Sequence, residues 1–295
     1  TMTVINTNTA ANITANALTK NERAMSQAME RLSTGQRINS ASDDAAGLAI
    51  SSRMTSQVNG LNMAVRNAND AISLLQTADG AIGEMSSMLQ RMRELAIQAD
   101  NGTNSSTDLT ALDVEFEALK AEIERIADNT QWNGTALLAG ASAFSFQVGA
   151  NSGQAISVTI KDFETANGDA SSGVFENLTS ATTYTDETTA GTDLAGLDIA
   201  STSNHTNAID RLSNAITRVD AQRATIGSAI NQLEYAADNL SNVSQNTSAS
   251  RSRILDADYA SETTELARTQ IIQQAATAML SQANQQAQTV LALLK

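Results

Sequence analysis

At 295 residues the chain is long enough for one large domain or two to three smaller ones. It has no cysteine, which excludes disulfides, thiolate metal sites and cysteine nucleophiles, and no proline, where ordinary usage predicts on the order of fifteen, so long uninterrupted helices are expected. The formal net charge of −14, with no run of Lys or Arg anywhere, excludes nucleic acid and disfavours an anionic membrane surface as partner.

The first residues, Thr1 to Asn8, carry neither a basic n-region nor an apolar h-region, and no apolar stretch of about 18 residues follows. By the ordinary signals this reads as a soluble cytoplasmic protein with no membrane insertion. Leu18, Met25 and Leu32 then repeat at intervals of seven, a narrow helical seam. Asp43-Asp44 follows Ser40-Ala41-Ser42 and precedes a helical run from Ala45 to Met54, so a helix N-cap is the plain reading of these paired carboxylates. The clearest stripe runs Val58, Leu61, Val65, Ala68, Ile72, Leu75 and, after a phase slip at Asp79-Gly80, Ile82, Met85, Leu89, Met92, Ala96, Ala99. A polar turn from Asp100 to Ser106 leads to a second stripe, Leu109, Leu112, Phe116, Leu119, Ile123 and Ile126. Trp132 reads as an anchor at the end of that helix.

Helical spacing stops at Asn133-Gly134. Phe144, Phe146 and Val148 alternate, Asn151-Ser152-Gly153 turns the chain, and Ile156, Val158 and Ile160 alternate again, which predicts a hairpin. From Lys161 to Asn204 the chain is rich in Thr, Ser, Gly and Asp with sparse apolar residues. Residues 133 to 205 hold one lysine, no arginine and eight acidic residues, half of the net charge in a quarter of the chain. A small solvent-exposed β or loop excursion is expected there. A third stripe, Ile209, Leu212, Ile216, Val219, Ile226, Ile230, Leu233, Ala237 and Leu240, supplies the remaining wall of a bundle. The last segment repeats Ile272, Ala276, Met279, Ala283, Ala287, Val290 and Leu294. Both outer seams are narrow and alanine-rich, so each is expected to order only against partners.

Residue types also limit the chemistry. His205 is the only histidine, which removes multi-histidine metal sites; it stands in a loop before a helix, away from any strand-turn-helix elbow. No GxGxxG or GxxxxGK[ST] element occurs. The Asp256-Ala257-Asp258 step lacks the glycine and distal glutamate of a calcium loop. No catalytic, cofactor-binding or metal-ligating residue is predicted, and no cofactor.

Two long stretches at opposite ends then carry a resemblance. Leu32-Ser33-Thr34-Gly35-Gln36-Arg37-Ile38-Asn39-Ser40-Ala41-Ser42-Asp43-Asp44-Ala45-Ala46-Gly47-Leu48-Ala49-Ile50-Ser51 resembles the N-terminal signature of bacterial flagellins. Ser252 to Thr263, with Ala275 to Gln285, resembles the C-terminal signature. The similarity covers residues 3 to 160 and 206 to 295; one departure is Ala287, where the family often has proline. The resemblance implies a mainly α fold, a long coiled-coil-like bundle formed by the two halves of the chain, with a β-hairpin and a variable excursion in the middle. Residues 1–44 and 252–295 would pair as an inner layer, 45–160 and 206–251 would form the bundle with its hairpin, and 161–205 would be the variable segment.

It also implies a non-enzymatic subunit that polymerises into an extracellular flagellar filament used for motility. Such subunits are exported by the flagellar type III system without a cleaved signal, which replaces the cytoplasmic expectation. Expected partners are further copies of the chain, the flagellar cap, hook-associated proteins and an export chaperone. The polymerisation seams are read as Leu18, Met25, Leu32, Ile272, Ala276, Met279, Ala283, Val290 and Leu294. The stretch Gln90 to Gln98 matches the helix by which flagellins contact host Toll-like receptor 5, with Gln90, Arg91, Leu95 and Glu115 as contacts. A plainer reading makes Arg91 and Glu115 an interhelical or inter-subunit ion pair. The alternative to a filament subunit is a hook-filament junction protein, distinguished by its low copy number.

Overall fold

The computed structural model describes residues 8–165, 173–175, 178, 194, 197–200 and 205–292. Its helices are α1 (Thr9–Thr34), α2 (Ala45–Ala99), α3 (Ser106–Asn129), α4 (His205–Leu255) and α5 (Tyr259–Ala292). Between α3 and α4 lie two antiparallel hairpins, β1 (Gln131–Trp132) with β2 (Thr135–Ala136), and β3 (Ser142–Gln147) with β4 (Ala155–Ile160). The chain divides into two compact units, Thr1–Asn59 with Ser244–Lys295, and Gly60–Val243. Residues 45–59 and 244–251, read from the sequence as part of the middle bundle, therefore group with the ends.

In the middle unit the α2 seam is one unbroken repeat of three and four: Leu61, Ala64, Ala68, Ala71, Leu75, Ala78, Ile82, Met85, Leu89, Met92, Ala96 and Ala99 are all buried. The phase slip expected at Asp79-Gly80 is absent. It arose from assigning Val65 and Ile72 to the seam, whereas both lie half-buried on its flank and the seam positions are taken by alanines. Alanine leaves room for a neighbouring element to approach closely, so larger side chains beside it pack at the margin. The same substitution of roles recurs in α4, where Ala208, Ala215 and Ala229 are buried and Ile209, Ile216 and Ile230 flank them.

The α3 stripe is buried at Leu109, Phe116, Ile123 and Ala127, and its start is fixed by a capping box in which Ser105 and Asp108 each satisfy the other's backbone N–H. The Ser105 hydroxyl, 2.6 Å from the Asp108 carboxylate, and then the Ser105 N–H hold that carboxyl below its ordinary value. Ion pairs and hydrogen bonds give the helix directions: Arg93 to Ser213 (3.0 Å) and Arg223 to Asp79 (3.0 Å) set α4 antiparallel to α2.

The predicted hairpin is present, with Phe144 opposite Val158 and Phe146 opposite Ile156. Two amide side chains bind carbonyls of its strands. Asn67 donates to the Gln147 carbonyl (3.2 Å), and Gln222, a buried polar residue in the α4 seam, donates to the Thr159 carbonyl (3.0 Å). The smaller hairpin was not predicted, although Asn133 (φ 48°) and Gly134 (φ 80°) form the two-residue turn that an Asn-Gly pair favours. Trp132 stands in β1, packed partly buried against the core.

The segment 161–205 departs from its expected exposure. Its described large apolar residues, Phe163, Val174, Phe175, Leu178, Leu194, Leu197 and Ile199, are all buried in the core of the middle unit, and Phe163 meets Phe175 edge to face at 5.7 Å. Acidic side chains of α3 hold the backbone there: Glu124 accepts the Thr165 N–H (2.7 Å) and Asp113 the Ile199 N–H (3.1 Å). Few apolar residues suffice because each is placed inward. Residues 166–172, 176–177, 179–193, 195–196 and 201–204 of the segment lie outside the described residues.

Candidate assembly surfaces

The terminal helices pair antiparallel. Asn8 donates to the Ala283 carbonyl (3.3 Å), Asn21 to the Thr269 carbonyl (2.7 Å), and Arg31 pairs with Glu262 (3.0 Å). On α1 the inward residues follow three-four spacing through Leu18, Asn21, Met25, Ala28 and Leu32, of which Asn21 and Ala28 are buried and the three apolar residues named from the sequence are half-buried. On α5 the inward residues are Leu266, Thr269, Gln273, Ala276, Leu280 and Ala283.

The sequence-derived seam on α5 therefore divides. Ala276 and Ala283 face α1 as part of that repeat, whereas Ile272 (40% exposed) and Met279 (63% exposed) point outward together with Ile271. They stand one position away from Gln273 and Leu280, which occupy the inward sites. On α1, Ile13 (71%) and Met29 also point outward. Val290 lies in α5 with its side chain outside the described set, and Leu294 lies outside the described residues. The pair thus buries a thin seam and presents bulky apolar side chains to its surroundings. Surplus apolar surface of this kind marks an interaction face.

The two signature stretches meet each other. Past the α1 C-cap, where Gly35 takes φ 71° and donates to the Arg31 carbonyl, Gln36 forms an antiparallel bridge with Asp256. Arg37 donates its backbone N–H to the Leu255 carbonyl (2.7 Å), Ala257 donates to the Gly35 carbonyl (3.0 Å), and the Arg37 guanidinium reaches the Ile254 carbonyl (2.7 Å). Ile38 is buried at this joint. Asp43 turns the following loop. Its carboxylate accepts backbone N–H groups of Ser40 (3.0 Å) and Asn39 (3.2 Å), and these hydrogen bonds hold it below the ordinary aspartate value. Asp44 accepts the Gly47 N–H (2.8 Å) at the start of α2, so of the paired carboxylates one caps the helix and the other shapes the turn. Gly47 leaves room for this joint: a Cβ there would stand 2.5 Å from the Asp44 carboxylate and 2.7 Å from the Ile38 side chain, so both would have to shift.

On the middle unit, Arg91 of α2 forms a forked pair with one carboxylate oxygen of Glu115 of α3 (3.0 and 2.9 Å) and a further bond to Glu94 (3.1 Å). The bonds to Glu115, then to Glu94, raise its pKa. Gln90, Arg91 and Glu115 are exposed, whereas Leu95, expected beside them as a receptor contact, is fully buried and faces the core next to Ala96. Among the described residues no group of three or more His, Asp or Glu could hold a metal ion, and no helix is long and apolar enough to cross a membrane.

Comparison with known proteins agrees with this arrangement. Residues 5–143 match the bacterial flagellin N-terminal helical region and residues 209–294 the bacterial flagellin C-terminal helical region. A flagellin of Halalkalibacterium halodurans is 46% identical over 270 residues, 91% of either chain, and polar flagellin F of Vibrio parahaemolyticus is 38% identical with 98% of this chain and 99% of that one covered. Among solved structures, a protein assigned as flagellar hook-associated, from Vibrio parahaemolyticus, shares the fold with a TM-score of 0.55 over 72% of this chain and 100% of its own, at 14% identity.

Proposed function

The chain belongs to the bacterial flagellin family, a structural family whose members polymerise into the flagellar filament, and from that premise we propose that its paired ends carry the polymerisation. The supporting observation is the outward apolar residues of α1 and α5, Ile13, Met29, Ile271, Ile272 and Met279, on a helix pair whose inward Leu18, Met25 and Leu32 are only half-buried. Neighbouring subunits cover that surface, so residues 1–44 and 252–295 act as the inner layer and complete their burial on assembly. The subunit acts structurally and not as an enzyme. Export proceeds through the flagellar type III apparatus without a cleaved signal, with an export chaperone beforehand and the cap and hook-associated proteins at the filament's ends.

Deleting Ile271 to Lys295 tests this reading. The expected product is a monomer whose middle unit still melts cooperatively and which never sediments as polymer after nucleation; polymer from this truncation refutes the assignment. Copy number separates the subunit from a junction protein, since a filament subunit is the major band of sheared surface appendages.

A host-receptor role rests on the exposed trio Gln90, Arg91 and Glu115. The ion pair ties α2 to α3 and also offers a charged, preorganised edge for Toll-like receptor 5. An Arg91→Ala variant that folds and polymerises is expected to lose receptor signalling, and unchanged signalling removes the role.

A further inference from the structure

The apolar seam between α1 and α5 does not specify its own register. Its inward α5 residues alternate leucine or glutamine with threonine or alanine, so sliding the helices by one heptad again sets small residues beside small ones. Besides the Asn8 tie to the Ala283 carbonyl at the start of α1, two polar ties inside the seam break that degeneracy. Asn21 is 8% exposed and spends its side-chain amide on the carbonyl of Thr269, itself 1% exposed. The Thr269 hydroxyl folds back onto the Glu265 and Leu266 carbonyls, which keeps its own polar atom satisfied inside the seam. Ten residues further along α1, Arg31 meets Glu262, both largely shielded from solvent, in the one ion pair joining α1 to α5 among the described residues. A heptad slip leaves each of these charges at a shielded site without the other, which is strongly unfavourable.

We propose that Asn21, with the Arg31–Glu262 pair, determines the register and intrachain pairing of the terminal helices. The apolar seam supplies adhesion without alignment. The inference rests on the filament reading, because correct alignment is what brings Ile271, Ile272 and Met279 to a defined position on the subunit surface.

The chain has no cysteine, so Lys20→Cys with Gln282→Cys gives two spin-label sites on exposed positions of α1 and α5. The full-length chain is assembled into filaments diluted with unlabelled subunits, so that the measured distance is intrachain. The parent is expected to give a single distance. Asn21→Leu and Arg31→Glu are expected to split or shift it by about 10 Å, the axial length of one heptad. Combining Arg31→Glu with Glu262→Arg is expected to restore the single distance. Filaments of Asn21→Leu and Arg31→Glu that keep the parent distance overturn the proposal. If Arg31→Glu forms no filaments, failure of the charge-reversed pair to restore them overturns it as well. A parent that forms no filaments at all contradicts the filament reading instead.

Discussion

The middle unit and the terminal pair use the same seven-residue repeat to opposite ends. From Ala68 to Ala99 the seam of α2 is buried at every three-four step, and α3, α4 and the larger hairpin contribute to the same core. On α1 the inward Leu18, Met25 and Leu32 are only half-buried, and the fully buried positions include an asparagine and a threonine on the partner helix. Complete burial makes a region that is stable by its own contacts; a thin, partly polar seam makes one whose stability depends on what covers it. Assembly can then be coupled to ordering of the ends without disturbing the middle.

Substitutions can break this contrast, and the largest effect is expected in the middle. Phe116→Ala removes a fully buried ring and is expected to cost about 3–5 kcal/mol in chemical denaturation of the monomer. Ile272→Ala with Met279→Ala, on the outward face of α5, is expected to leave that melting curve unchanged and to raise the concentration needed for polymer, measured by sedimentation. Equal effects of both changes on the monomer erase the distinction between the regions.

Gly47→Ala places a methyl group against Asp44 and Ile38 and is expected to cost about 1–3 kcal/mol at the joint between the signature stretches, read by hydrogen exchange of residues 35–50. Ser105→Ala removes the α3 cap, with an expected cost of about 1 kcal/mol in the middle unit's melting. Acid sharpens the picture further. The Asp43 and Asp108 carboxyls are held below the ordinary value of 3.8, so their contribution is full above that value and is lost as pH falls through their lower folded values. Loosening of the residue 39–44 turn and of the α3 start is therefore expected only in strong acid, with no change between about pH 5 and pH 8, as amide exchange at Ser40 and Ser105, the N–H donors to these two carboxylates, would show.

Periodicity made much of the fold legible. The three middle stripes, the polar turn before Ser106 and the hairpin with Phe144 and Ile156 follow directly from the positions of large apolar residues. What periodicity missed were sites where small or polar residues do the burying. Ala64, Ala71 and Ala78 hid the continuity of the α2 seam, and the neighbouring Val65 and Ile72 mimicked a phase slip. On α5 the polar Gln273 takes an inward site while the apolar Ile272 beside it faces outward. Leu95 is named through the match of Gln90 to Gln98 to the family's receptor-contacting helix, and a stretch-wide match does not separate the exposed Arg91 from a residue that faces the core. The segment after Lys161 looked exposed because its composition is polar, while Phe163, Phe175 and Ile199, widely spaced in the sequence, reach the core. The joint of Gln36 with Asp256 is formed by backbone hydrogen bonds across more than two hundred residues and left no pattern to read.

Hydrogen exchange on the free chain and on assembled filaments tests the central contrast most directly. The expected result is strong protection of residues 68–99 in both states, with α1 and α5 exchanging fast in the free chain and slowly in the filament. Ends already protected in the free chain to the level of the middle unit, or ends left unprotected in the filament, would contradict the account.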